Sequence, residues 1–256
     1  MKKFFFYIFF YISLLFASES IFDQKYKFFL GYQYAQYNVL LQSTDKEEVL
    51  VDINGKTYSY FDKIYREYRI KSFSNNVLCS FEIKPFNKIW YSIDVQLVPS
   101  QNVELSYTQK LCSTKYGWCG GVGLNYMLFP QTIVSDGINI SGKIFFENYK
   151  FDFFIDENDK YKIDTELSIT DILTRISFSK IFYKLFEINY GGEILYRSSS
   201  LIDKKNYFIV SGKETLVQIF LTSRIYLTKN ESLNFNILKS INDNVWIVSS
   251  GIIIGW

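Results

Sequence analysis

Apolar and polar residues alternate one by one along much of the chain. Even-numbered positions from Tyr26 to Tyr34 hold only aromatic residues and leucine, and odd-numbered positions from Ile89 to Leu97 hold only tyrosine and branched aliphatic residues. A period of two residues places the apolar side chains on one face of a β-strand and the polar side chains on the other. The pattern therefore predicts strands with one apolar face and one polar face.

The same alternation recurs in further segments, and we predict about ten strands, within a range of roughly eight to twelve. Two segments, 172–182 and 216–227, are less regular. The first also fits a helical stripe, but its isoleucine, threonine and serine content favours a strand. The regular segments are 26–35, 77–84, 89–98, 121–128, 138–147, 186–197 and 233–238.

The connections between the predicted strands alternate in length. Short connections lie at 85–88, 129–132, 181–184 and 228–232. Long, polar connections lie at 39–75, 99–118, 149–166 and 198–214. This order indicates antiparallel hairpins whose short turns share one end of a sheet and whose long loops share the other.

The first twenty residues have the pattern of a secretory signal peptide. Lys2 and Lys3 precede an apolar run from Phe4 to Phe16, and small residues follow up to Ser20. The run is shorter than the roughly 20 residues that a membrane-spanning helix needs. We therefore predict a signal peptide at residues 1–20 and one domain at residues 21–256, with an uncleaved N-terminal anchor as the alternative.

Composition supports a β-rich protein and excludes one class of partner. Aromatic residues make up 20% of the chain, and strands favour aromatic residues. The formal net charge is +2, and it becomes +1 (2 − 2 + 1) once Lys2, Lys3 and Glu19 are removed. Such a balance has no charge excess to attract nucleic acid, so we predict no nucleic-acid partner.

The three cysteines predict one disulfide and no metal site. Cys112 and Cys119 are close in sequence and lie among glycine and serine residues, so a loop disulfide between them is predicted for an exported protein. The spacing does not match a metal-binding motif. Cys79 stands apart in a predicted strand, where we expect an inert, buried thiol.

The last residues carry a family resemblance. Trp246, Val248, Ile252, Ile254 and Trp256 share one face of a predicted final strand. This resembles the C-terminal assembly signal of bacterial outer-membrane β-barrel proteins, an amphipathic strand that ends on an aromatic residue, with tryptophan here in place of the usual phenylalanine. The resemblance covers about residues 26–256. It implies export to the outer membrane of a Gram-negative-type bacterium and interaction with outer-membrane lipids, periplasmic chaperones and the barrel assembly machinery.

The fold implied is all-β, an antiparallel transmembrane barrel with short periplasmic turns and long extracellular loops. In the hydrocarbon core of a bilayer every backbone donor and acceptor must be paired within the protein. A sheet that spans the bilayer must therefore close on itself. A soluble secreted β-sandwich or barrel also has one apolar and one polar face, and it remains the alternative.

Histidine is absent from the chain. The outer-membrane phospholipases, lipid A deacylases and palmitoyltransferases, and omptin proteases resemble one another in using a histidine as a general base, for which its pKa near neutrality is suited. Those mechanisms are excluded here. We predict no enzymatic activity and no cofactor.

Polar side chains on the inner face are the candidate functional residues. Their charges either set the selectivity of a narrow aqueous pore or pair with one another in a filled interior. The predicted function is a structural or porin-like surface protein that passes small solutes if the pore is open, with loop-mediated adhesion or ligand binding as the alternative. The predicted lumen-facing residues are Glu82, Lys84, Asp94, Lys143, Arg175, Glu187, Glu193, Arg197 and Arg224.

Overall fold

A computed structural model provides the fold of the chain. It describes residues 24–53, 56–105, 111–131, 136–154, 162–183, 185–203, 208–243 and 245–256. The predicted signal peptide at residues 1–20 lies outside the described residues.

Within the described residues, no helix has the length and apolar character that crossing a bilayer requires.

Ten strands form the structure. They are β1 (Tyr26–Ile53), β2 (Lys56–Phe86), β3 (Ile89–Leu105), β4 (Leu111–Phe129), β5 (Gly137–Phe154), β6 (Lys162–Phe182), β7 (Phe186–Asp203), β8 (Phe208–Tyr226), β9 (Glu231–Ser240) and β10 (Trp246–Gly255). The two irregular segments of the sequence fall within β6 and β8, which confirms that both are strands.

The strands close into an antiparallel barrel. Each strand pairs with its neighbours in sequence, and β1 pairs with β10 from Lys27 opposite Gly255 to Ala35 opposite Ile247. Closure leaves no free edge along this part of the sheet, which is the condition for crossing a bilayer with strands. The predicted all-β barrel fold is confirmed.

The predicted long loop at 39–75 is instead a hairpin of two long strands. β1 and β2 remain paired up to Ile53 opposite Lys56, so β1 extends roughly 60 Å beyond its last pair with β10 at about 3.3 Å per residue. Past the closed part of the barrel neither face of a strand needs to be apolar, and the period-two signal disappears there although the strand continues.

The outer surface carries an apolar band of membrane height. Trp246 begins β10 and Trp256 follows it, and both are exposed. Ten residues of strand at the usual barrel tilt span about 25 Å, the height of the apolar band of outer-membrane barrels. Exposed members of the band include Leu30, Tyr91, Ile93, Val95, Val122, Leu124, Ile144, Ile172, Ile176, Ile194, Ile219, Leu221, Ile237 and Ile252.

Candidate functional site: the barrel interior

The structure places all nine predicted lumen-facing residues inside the barrel. A cavity of about 800 Å³, called here the vestibule, occupies the half of the interior next to the short turns. Seven of the nine line it: Glu82, Lys84, Asp94, Lys143, Arg175, Glu187 and Arg224. The other two, Glu193 and Arg197, are buried farther along β7 from its short turn.

Alternation positions these side chains. On β7, Tyr190, Ile194 and Tyr196 are exposed on the outer face, whereas Glu193 and Arg197 are buried. Successive side chains of a strand point to opposite faces of the sheet, so the outward apolar residues direct the polar ones into the lumen. The positions of the outward apolar residues therefore also identify which polar residues face the lumen.

Ion pairs that join separate strands neutralise most of the vestibule charge. Lys143 Nζ lies 2.9 Å from Asp94 Oδ2, and Arg175 Nη2 lies 2.5 Å from Glu193 Oε2. These pairs join β5 to β3 and β6 to β7. Charges removed from bulk water need such partners.

A third pair stands near the short-turn mouth. Arg224 Nη1 lies 3.2 Å from Glu187 Oε2, and the Tyr226 hydroxyl donates a 2.5 Å hydrogen bond to the same oxygen. On the opposite side of the mouth, the Lys27 ammonium lies 4.0 Å from the centroid of the Trp90 ring, a cation–π contact.

A buried arginine marks the inner end of the vestibule. Arg197 donates from Nε to Asp171 Oδ1 at 2.9 Å and from Nη2 to Asp171 Oδ2 at 2.8 Å. Its Nη1 donates to the Asn38 carbonyl at 3.3 Å and lies 3.8 Å from Glu214 Oε1. The Arg197 and Asp171 side chains are 7% and 6% exposed, so water does not screen this pair.

Apolar side chains fill the lumen beyond Arg197. This cluster, called here the plug, comes from β1, β2, β3, β5, β6, β7 and β8 and from the residue before β10, so its members approach from around the barrel. Its members are Ala35, Val39, Leu41, Ile70, Val98, Tyr149, Leu167, Ile169, Leu201, Val210 and Val245. An apolar cluster of this kind excludes water from the end of the barrel opposite the short turns.

β1 crosses to β8 at the level of the plug, because β9 and β10 are shorter than the other strands. Gln42 pairs with Ser211 of β8, and the Ser199 hydroxyl donates to the Leu40 carbonyl at 2.9 Å. A Cβ atom at Gly212 would lie 1.8 Å from that same carbonyl oxygen. Only glycine lets the two backbones approach this closely.

Gly212→Ala is therefore expected to lower the free energy of unfolding by about 1–3 kcal/mol, because the added methyl group must push β1 away from β8. Gly192→Ala is the matched control: its Cβ would lie 3.7 Å from the nearest neighbour, an ordinary contact. Urea unfolding of both variants in detergent micelles measures the difference. Equal stability of the two variants would contradict the close approach of β1 to β8.

The predicted disulfide between Cys112 and Cys119 is wrong. Both residues belong to β4, and seven residues of strand separate their Cα atoms by roughly 23 Å, whereas a disulfide needs Cα atoms within about 7 Å. Cys119 is a free, buried cysteine, and Cys79 is a free cysteine that is half-buried rather than buried.

The glycines around Cys119 have a packing role in the strand. A Cβ atom at Gly121 would lie 2.3 Å from the Phe145 ring, and one at Gly117 would lie 2.2 Å from the Tyr149 ring. These inward aromatic rings of β5 lie over the bare backbone of β4. The glycine-rich composition that suggested a loop is explained by this contact.

Comparison with known proteins identifies a fold. No family model matches the chain, and no curated protein matches it. The outer membrane protease OmpT from Escherichia coli is similar with a TM-score of 0.51 at 9% identity, covering 89% of this chain and 97% of that chain. The translocator domain of the autotransporter NalP from Neisseria meningitidis has a TM-score of 0.52 at 5% identity, covering 91% of this chain and 88% of that chain. The similarity to both structures lies in the barrel fold and not in the sequence.

Proposed function

We propose that this chain, which has the fold of the outer-membrane β-barrel proteins, resides in a bacterial outer membrane as a closed, non-conducting surface protein. The short turns face the periplasm, and the β1–β2 hairpin projects from the cell. Outer-membrane lipids, periplasmic chaperones and the barrel assembly machinery are its proposed partners. The proposal includes no catalytic step, in keeping with the absence of histidine.

The plug carries this proposal. Conduction requires a continuous aqueous path whose walls let ions and solutes enter and leave. Leu41, Leu167 and Ile169 are almost fully buried in the lumen, and the Arg197–Asp171 pair adjoins them. An interior filled in this way supports a closed barrel over an open porin.

A second candidate function follows from the length of the β1–β2 hairpin. Its backbone stays paired far beyond the level at which β1 leaves β10. A projecting hairpin presents a large surface to external ligands, which supports adhesion or ligand binding as the role of a barrel that does not conduct.

Single-channel recording in a planar bilayer tests closure. The wild-type protein is expected to give no steady current steps, whereas Tyr149→Ala/Leu167→Ala is expected to give them. Tyr149 and Leu167 are cross-strand partners in the plug and are 1% and 2% exposed, so their truncation is expected to open the lumen. Current through this variant shows that the protein inserts into the bilayer.

The matched control is Ile144→Ala/Ile172→Ala on the outer face of the same two strands. These residues are also cross-strand partners, and both are exposed, so their truncation leaves the lumen unchanged and the bilayer silent. Steady, ohmic steps from the wild-type protein would reject the closed barrel in favour of a pore.

A further inference from the structure

We propose that the vestibule is a binding site for a small, neutral, polyhydroxylated solute such as a sugar or polyol. The inference goes beyond the proposed function, because binding in the vestibule does not depend on whether the plug conducts. The vestibule volume of about 800 Å³ lies within the range of roughly 300–1,000 Å³ that is typical of small-molecule sites.

The partners of the vestibule cations argue against an ionic ligand. Lys143, Arg175 and Arg224 each have a carboxylate partner at 3.2 Å or less. Lys27 and Lys84 both lie over the Trp90 ring, 4.0 Å and 5.4 Å from its centroid, and Glu82 stands opposite Lys27 in the β1–β2 register. An ion that entered would lose hydration without an uncommitted opposite charge to replace it.

Neutral amides and hydroxyls provide the remaining polar surface. These groups both donate and accept hydrogen bonds, as sugar hydroxyls do. The neutral polar residues of the vestibule include Gln33, Gln96, Asn125, Asn139, Asn189 and Asn234.

Three of these amides have unused acceptors. The side-chain Oδ1 atoms of Asn125, Asn189 and Asn234 are buried and accept no hydrogen bond from the described residues. Asn125 lies on β4 and Asn234 on β9, five strands apart in a barrel of ten, so they approach from opposite walls. A solute that spans the vestibule can donate to both with small side-chain rotations, which recovers the cost of leaving buried acceptors unpaired.

Equilibrium dialysis of radiolabelled sucrose against the wild-type barrel in detergent micelles tests the site. Saturable binding of one sucrose per barrel is expected. Asn125→Leu/Asn234→Leu keeps the side-chain size, removes both acceptors and is expected to raise the dissociation constant about tenfold. Asn230→Leu is the matched control, because Asn230 is exposed in the β8–β9 turn and its substitution is expected to leave binding unchanged.

The proposal would be overturned if the wild-type barrel shows no saturable uptake of sucrose. It would also be overturned if the wild type, Asn125→Leu/Asn234→Leu and Asn230→Leu bind sucrose with equal dissociation constants. Displacement of sucrose by inorganic phosphate at equal concentration would also overturn it, because an anion site would then be present. Asn189→Leu replaces the double variant if that variant does not fold. Conduction by the wild-type barrel would reject the proposed closed interior. It would leave the solute-binding proposal standing, because the dialysis result does not depend on conduction.

Discussion

Replacing Arg197 with leucine is expected to lower the free energy of unfolding by about 3–5 kcal/mol. The substitution leaves Asp171 buried inside the barrel, without the guanidinium that donates to both of its carboxylate oxygens. A buried carboxylate that loses its partner keeps the whole cost of desolvation. Urea unfolding in detergent micelles, followed by far-ultraviolet circular dichroism, measures the change in midpoint at constant slope.

Two further variants test whether the unpaired charge of Asp171 causes the loss of stability. Asp171→Leu/Arg197→Leu is expected to be more stable than Arg197→Leu alone, because the carboxylate of Asp171 is gone. Glu214, 3.8 Å from Arg197, loses that contact in both variants alike. Lys180→Leu breaks an ion pair with Asp136 in which the two side chains are 51% and 49% exposed, and an exposed pair contributes no more than about 1 kcal/mol. If the double variant is the less stable of the Arg197 variants, the loss comes from packing rather than from the buried charge.

Ile93→Arg is the second substitution with a large expected effect, a loss of about 2–4 kcal/mol in phospholipid bilayers. Ile93 lies in the middle of the exposed part of β3, between Tyr91 and Val95, and is 56% exposed. Arginine at this height must leave water for hydrocarbon. Reversible unfolding by urea in vesicles gives the difference in free energy.

Ile241→Arg is the control. Ile241 is 62% exposed in the β9–β10 turn, outside the apolar band, and its substitution is expected to change stability by less than about 0.5 kcal/mol. Exposure alone predicts small effects at both sites, as in a soluble barrel. Similar, small losses for the two variants would therefore contradict the membrane placement and the apolar band with it.

The odd or even position of a residue along its strand predicts whether its side chain points into the lumen. It does not predict which of these side chains form ion pairs. Asp94 and Lys143 occupy the polar positions of two strong alternations, so their inward direction follows from the sequence. Their contact at 2.9 Å depends on how β3, β4 and β5 are staggered. The stagger is fixed by closure of the whole barrel, and no local pattern contains it.

The plug was missed because the apolar residues change sides along the strands. On β6, Leu167 and Ile169 are buried inside the barrel, whereas Ile172 and Ile176 are exposed outside it. The apolar positions thus change from odd to even between Ile169 and Ile172. In the sequence alone this change looks like a loss of periodicity, because nothing there shows that β6 continues past the apolar band. Residues 149–166 are therefore predicted as a polar loop.

Barrel closure has a consequence for the order of folding. Lys27 pairs with Gly255, so the contact that seals the sheet joins residues from opposite ends of the described chain, and contacts of such long sequence separation form slowly. Until β10 arrives, a newly made chain exposes two unpaired strand edges together with its apolar band, and such edges promote aggregation. The nascent chain therefore depends on protection during transit until β10 pairs with β1.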